Sequence, residues 1–163
     1  MTNLRQCVRE LWREPSRAEL PGWAMEAPSH LEEGLAELAE FIREVGGGRI
    51  GTPNVRGRDV HVPLVARDGE RYILRMRVGA YLAEPPRCAF VDDHYAVTED
   101  ACPYHAPGTP FRSPTFICTP PTAEFYVFHG RTYRHGEGSL VATVATIFAA
   151  LHAPEYAGRA RRR

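Results

Sequence analysis

The sequence predicts an α+β domain in which helices pack on an antiparallel sheet. Leucines recur at helical spacing through residues 29–45. Residues 59–78 hold two segments of apolar–polar alternation that flank an Asp-Gly turn. A second wide apolar helical face runs through residues 139–153. A helix, an antiparallel meander and a closing helix, in that order, are typical of the α+β class.

Two helices are predicted before the sheet. Residues 1–28 contain the first helix and, after it, a Pro-rich loop. The second begins at Ser29, which forms a capping box with Glu32, and ends at the glycine run 46–48. The apolar residues of the first helix are Leu4, Cys7, Val8, Leu11 and Trp12, and those of the second are Leu31, Leu35, Leu38, Phe41, Ile42 and Val45.

Three strands follow the second helix, at residues 59–66, 71–78 and 87–91. In the middle strand apolar residues alternate with arginines, which predicts a sheet with one solvated face. A further short strand is expected near "RIGTPNV", before the hairpin.

Most of the polar residues that could take part in catalysis come after the meander. Residues 92–115 show little periodicity and predict a long structured loop, which in a compact domain is usually functional or mobile. "TFIC" closes this loop at Cys118, before a Pro-Pro corner, and "EFYVF" at 124–128 is predicted to be a strand. Ser139 caps the last helix, and residues 159–163 form a basic tail.

The length, net charge and hydrophobic pattern of the chain exclude several classes of protein. A chain of 163 residues is long enough for one domain with a real core, expected here at residues 29–158. The formal net charge of zero argues against a general nucleic-acid binder. No run of about 18 apolar residues is present, and the N-terminus is charged throughout, unlike a signal peptide. We therefore expect a cytoplasmic protein that binds neither nucleic acid nor membrane.

One of the four cysteines stands apart from the others. They show no paired spacing, so free thiols in a reducing compartment are expected. Cys7 and Cys88 lie on predicted apolar faces and are expected to be structural. Cys118 lies at the exit of a predicted strand, where a thiol can be accessible and reactive. The alternative is a buried strand-end cysteine that acts as a small apolar residue.

The basic residues are all arginines, and the chain has no lysine. A GC-rich genome explains this bias without any function. In a protein that handles activated acyl groups, however, the absence of lysine also prevents self-modification. A lysine introduced near residue 118 would then produce self-modified protein.

Four features combine into a family resemblance. "EPPRCAFVD" follows the meander, "FIC" ends at Cys118, Tyr126 lies eight residues later, and "SLVATVATIFAALHAPEYAGR" forms the closing helix. In these features residues 29–158 resemble the ubiquitin-conjugating enzyme family, which often has tryptophan where Tyr126 stands. "CTPPTAEFY" is also similar to the Cys-x-Pro-Gly-Thr-x-Glu-Tyr-His pattern of the divergent bacterial branch, found beside ubiquitin-like modifiers and their activating enzymes.

The resemblance implies a fold, a reaction and partners. The fold is UBC-like, an antiparallel meander flanked by N-terminal helices and by a C-terminal helix after the active-site loop. Cys118 would accept the C-terminal acyl group of a ubiquitin-like modifier from an adenylating activating enzyme, as a thioester, and pass it to an amine of a target protein. An antiviral role would fit bacterial operons of this type.

The chain departs from the family pattern before the cysteine. The family's His-Pro-Asn motif is absent, and "HAP" at 105–107, thirteen residues upstream of Cys118, echoes it only in part. The asparagine of that motif is linked to stabilising the oxyanion formed when an amine attacks the thioester. Another donor must do this here, or the reaction is weaker or different.

Proton transfer from the attacking amine calls for a nearby imidazole or carboxylate. His105 is ranked first, because it lies in the loop expected to face Cys118. No cofactor-binding or metal-ligating residue is assigned. The predicted site residues are Cys118, His105, Tyr126 and Glu124, and the further candidates for proton transfer are His129, His135 and Asp100.

Two other interpretations remain open. The same domain without catalysis would be a modifier-binding or scaffold module, which the missing His-Pro-Asn motif favours and the "FIC" cysteine disfavours. Alternatively, Cys102 and His105 could bind zinc together with Cys118, His129 or His135, since zinc accepts cysteine and histidine ligands in tetrahedral arrangement.

Overall fold

A four-stranded antiparallel sheet in the order β1-β2-β3-β4 forms the centre of the fold. The computed structural model describes residues 28–160, and within them the predicted α+β class is confirmed. No helix in this part of the chain has both the length and the apolar character needed to cross a bilayer. The elements in chain order are α1 (Pro28–Val45), β1 (Asn54–Arg56), β2 (Asp59–Val65), β3 (Arg71–Arg77), β4 (Arg87–Val91), a 3₁₀ turn (Glu99–Ala101), β5 (Phe111–Ser113), β6 (Phe116–Ile117), α2 (Ala123–His129) and α3 (Leu140–His152).

The meander follows the sequence prediction closely. The strands expected at 59–66, 71–78 and 87–91 are β2, β3 and β4, with ends that differ by at most one residue. The short strand expected before the hairpin is β1. Register places Val62, Leu74 and Phe90 side by side across three strands, all fully buried on the inner face.

Helices α1 and α3 cover this inner face. Leu38 of α1 is fully buried, and α1 ends at Val45 before the glycine run, as predicted. The Ser139 hydroxyl accepts the Ala142 N–H at 3.1 Å, so the predicted cap of α3 is confirmed. Gly34 is required on α1 because a Cβ there would collide with the Tyr81 ring. The buried apolar residues of α3 are Leu140, Val144, Ile147 and Leu151.

The outer face of the sheet is less solvated than the alternation predicts. His61 on this face is only 3% exposed, because the loop after β4 folds back over it. The Tyr95 ring packs edge-on against the His61 ring at 4.4 Å, and the Arg56 guanidinium lies 4.3 Å from the centre of the Tyr95 ring. Burial lowers the pKa of His61.

One predicted strand is wrong. Residues 124–128 belong to helix α2, although their aromatic and β-branched side chains favour a strand locally. Thr122 caps the start of this helix, since its side chain accepts the Phe125 N–H. Gly130 ends it in the left-handed conformation with φ of 59°. The two caps outweigh the local strand preference.

The segment after α3 belongs to the fold. Arg159, predicted to start a basic tail, donates from Nε to Glu70 at 2.9 Å and lies 4.5 Å from the centre of the Tyr72 ring. It also donates to the backbone oxygens of Arg71 and Asp100. The first predicted helix, with Cys7, and the last three arginines lie outside the described residues.

Replacing Arg159 tests this anchoring. We expect Arg159→Ala to lower the free energy of unfolding by about 2 kcal/mol, because a half-buried charge loses several hydrogen bonds. Arg43→Ala is the matched control, since Arg43 is exposed and forms only a 3.5 Å pair with Glu40. We expect less than about 0.5 kcal/mol there. Equal losses for both variants in urea denaturation would contradict the role of Arg159.

Candidate active site

Cys118 is the accessible thiol among the described cysteines. Cys88 and Cys102 are 0% and 4% exposed, whereas Cys118 is half-buried directly after β6. Its backbone N–H donates to the Pro110 carbonyl at 2.8 Å, which extends the pairing of β5 with β6. Burial raises the pKa of Cys88 and raises that of Cys102 to about 11. These two cysteines are therefore unreactive, as expected for Cys88.

Helix α2 brings an imidazole back to the thiol. The His129 Nε2 atom lies 3.4 Å from Cys118 Sγ. The rings of Phe125 and Phe128 contact the His129 ring at centroid distances of 4.8 and 5.1 Å. With its proton on Nδ1, the neutral imidazole leaves Nε2 free to accept the thiol proton. The arrangement is a thiol with a general base within reach.

The charge around Cys118 explains why a base is needed. Partial burial raises the pKa of the Cys118 thiol, the Arg112 charge opposes this shift, and Glu124 adds to it once its own carboxyl group is ionised. The thiol is therefore protonated at neutral pH, while the thiolate is the nucleophile. A neighbouring imidazole that accepts the proton during attack removes this obstacle.

His105, ranked first from the sequence, contacts Arg112 rather than the thiol. Its Nδ1 lies 2.9 Å from the Phe111 carbonyl oxygen, and its Nε2 lies 3.4 Å from an Arg112 guanidinium nitrogen. A carbonyl only accepts and a guanidinium only donates. The neutral imidazole with its proton on Nδ1 satisfies both contacts, so His105 supports Arg112.

The Tyr126 hydroxyl points to a partner other than Cys118. It donates to Glu137 at 2.7 Å, and burial together with this carboxylate raises the pKa of Tyr126 to about 12. Tyr126 lines an open groove of about 540 Å³ that begins at Pro120 and Pro121. Its position gives it a role in shaping this groove and no proton to exchange near neutral pH.

Glu124 lies completely inside the protein, in the first turn of α2. Neither carboxyl oxygen makes a hydrogen bond of ordinary geometry within the described part of the chain. Burial raises the pKa of Glu124 to about 8, and the backbone N–H groups of Glu124 and Cys88 offset this only in part. A fully buried acid cannot meet a substrate, so Glu124 acts on the site only through its charge, which it carries above about pH 8.

The zinc interpretation finds no geometric support. Within residues 28–160, no three side chains of His, Cys, Asp or Glu come together in a way that could hold a metal ion. Cys102 donates its thiol to the Glu99 carbonyl at 3.4 Å, whereas Cys118 faces His129. The predicted set of Cys102, His105 and Cys118 is therefore not gathered into one cluster.

Sequence reasoning ranked His129 below His105 and did not name Arg112. The lower rank of His129 follows from placing residues 124–128 in a strand, since a strand would carry His129 away from Cys118. The caps Thr122 and Gly130 were the available signal for a helix that returns the chain. No sequence signal pointed to Arg112.

Comparisons with protein-family models, with curated proteins and with solved structures find no match to this chain. Its family thus stays a prediction from the residues quoted above. The contact of Cys118 with His129 is a feature of the structure itself and does not depend on any family.

The buried acid predicts a specific dependence of stability on pH. Folded Glu124 keeps its proton up to about pH 8, whereas the unfolded chain releases it near 4.5. Between these pH values the unfolded state therefore binds fewer protons than the folded state. As a result, the free energy of unfolding of the wild-type protein falls as pH rises. Glu124→Gln removes this loss, so its stability relative to wild type should grow by up to about 1.4 kcal/mol per pH unit.

Urea denaturation between pH 4.5 and pH 8 measures this difference. The exposed Glu44→Gln on α1 is the matched control and should follow the wild-type curve. Parallel curves for Glu124→Gln and wild type would show that Glu124 is ionised in the folded protein.

Proposed function

We propose that this protein is a conjugating enzyme that carries the C-terminal acyl group of a ubiquitin-like modifier as a thioester on Cys118 and transfers it to an amine. One observation carries the proposal: the half-buried Cys118 thiol, directly after β6, lies 3.4 Å from the exposed His129 imidazole. A thioester suits the task, because it keeps the acyl group activated and transferable.

The first step exchanges one thioester for another. Cys118 Sγ attacks the carbonyl carbon of the donor thioester while His129 Nε2 accepts the thiol proton. The bond between Cys118 and the acyl carbon forms, and the bond to the donor sulfur breaks. The leaving thiolate takes the proton back from His129, so the enzyme emerges acylated with its imidazole neutral.

The arrangement of elements supports a UBC-like fold as the finer description. A helix, an antiparallel meander, a loop that ends in a cysteine and a closing helix follow in the order that the family resemblance implies. In that setting the donor is an adenylating activating enzyme, and the acceptor is a target protein.

Acylation of Cys118 distinguishes the proposed enzyme from a catalytically inactive binding module. The wild type should be acylated by a peptide thioester that ends in glycine, faster than a free cysteine peptide, and intact-mass spectrometry should detect the adduct. The Cys7→Ser background removes the cysteine outside the described residues, which leaves Cys118 as the accessible thiol. His129→Gln should slow acylation by about 10²-fold or more, because the base is lost.

Cys118→Ser in the same background is the control and should give no thiol-labile adduct. A wild-type rate equal to that of the cysteine peptide, unchanged in His129→Gln, would contradict catalysis and favour the binding module.

A further inference from the structure

The amine-transfer step of the proposed function requires a donor that the Cys118–His129 pair does not provide. Attack on the thioester places negative charge on the carbonyl oxygen, and preorganised hydrogen-bond donors stabilise that charge in acyl-transfer enzymes. The backbone around the thiol offers few. The Cys118 N–H donates to Pro110 and the Thr122 N–H to Thr119. Pro120 and Pro121 have no N–H.

A β-bulge supplies a side chain in place of backbone donors. Phe111 pairs with Ile117, and the register shifts before Ser113 pairs with Phe116, so Arg112 is the extra residue of β5. Phe111 and Ile117 are buried, whereas Arg112 is exposed. Bulges re-aim side chains, often next to active sites. This one turns Arg112 out of the core, two residues after Pro110, whose carbonyl accepts the Cys118 N–H.

Arg112 keeps its full charge in this position. Its contact is with the His105 imidazole at 3.4 Å, and within residues 28–160 no carboxylate forms an ion pair with it. His105 is itself fixed by the Phe111 carbonyl at 2.9 Å. The guanidinium is thus oriented without being neutralised. Its charge also acts on the Cys118 thiol, the main influence opposing the effect of burial there.

We propose that Arg112 donates a hydrogen bond to the carbonyl oxygen of the acyl group on Cys118 and stabilises its negative charge during attack by the amine, with His105 as the positioning residue of Arg112. The inference rests on the proposed function, because it needs an acyl group on Cys118.

The step balances with the residues present. The amine nitrogen attacks the thioester carbon and forms the C–N bond, and the carbonyl oxygen becomes an oxyanion held by the Arg112 N–H groups. His129 takes one proton from the ammonium nitrogen. The C–S bond then breaks, the oxyanion returns to a carbonyl, and the Cys118 thiolate takes the proton from His129.

Single-turnover discharge tests Arg112. Protein in the Cys7→Ser background is first charged with the glycine-ending peptide thioester, and transfer to Nα-acetyl-lysine amide is then followed by intact-mass spectrometry. We expect Arg112→Ala to slow discharge by about 10²-fold, the effect of removing one oxyanion donor. The control is Arg58→Ala, an exposed arginine in the turn between β1 and β2, at the far edge of the sheet. It should discharge at the wild-type rate.

Two further variants test whether His105 positions Arg112 and whether residue 112 reaches the thioester. His105→Ala should slow discharge less than Arg112→Ala, and the double variant should be no slower than Arg112→Ala alone, because both act through one contact. Arg112→Lys places an amine where the guanidinium stood. Because the chain has no lysine, it should convert the thioester into a thiol-resistant adduct, whereas Arg58→Lys should not.

The outcomes distinguish this inference from the proposed function. A wild type that charges and discharges normally, together with Arg112→Ala that discharges equally fast, would overturn the role of Arg112 and leave the conjugating reaction standing. Additive effects of His105→Ala and Arg112→Ala would overturn the positioning role of His105. A wild type that never charges would overturn both proposals.

Discussion

The geometry of the site depends on one buried hydroxyl, that of Thr122. It lies 2.5 Å from the Ile117 carbonyl oxygen and 2.8 Å from that of Thr119, and it accepts the Phe125 N–H. Thr122 thus closes the turn after β6 and starts α2 with the same side chain. Because Cys118 lies inside this turn and His129 ends the helix, the distance from thiol to imidazole is set by how Thr122 holds the two segments together.

The surroundings of the site combine features that a stability optimum would avoid. Within residues 28–160, Glu124 is buried in the first turn of α2 without a hydrogen bond of ordinary geometry, although burying such a group costs free energy. Arg112 stands on a bulge without an ion-pair partner in the described chain. Both lie within electrostatic range of Cys118. Departures from local consistency tend to gather at functional sites, and here they gather around one thiol.

The sequence was sufficient where a pattern repeats over many residues. The alternation in β2 and β3 and the apolar stripes of α1 and α3 come from burial of one face, and such a face can be recognised from periodicity alone. It was insufficient for α2, whose seven residues carry too little periodicity to outweigh their strand-like composition. The outer face alternates as predicted in β3 but is less solvated at His61, because Tyr95 covers that residue from the loop after β4.

The dependence on local sequence patterns also explains which residues of the site could be predicted. Cys118 could be singled out because its position before the Pro-Pro corner is local in the sequence. The partners of Cys118 could not be identified in this way. His129 reaches the thiol only because residues 123–129 form a helix, which their composition does not predict, and Arg112 lies on a bulge that has no sequence signature. Loop position favours His105 as the partner of Cys118, but its imidazole contacts Arg112 and the Phe111 carbonyl instead.

In the proposed function, an acyl group on Cys118 goes to an amine and not to water. The most direct measurement is the partition of that group in the wild type, by quenched-flow mass spectrometry over a series of Nα-acetyl-lysine amide concentrations. A conjugating enzyme should give an amide fraction that rises with amine concentration until amide is the main product, while hydrolysis stays slow. Hydrolysis as the main fate at every amine concentration would instead make the Cys118–His129 pair that of a hydrolase.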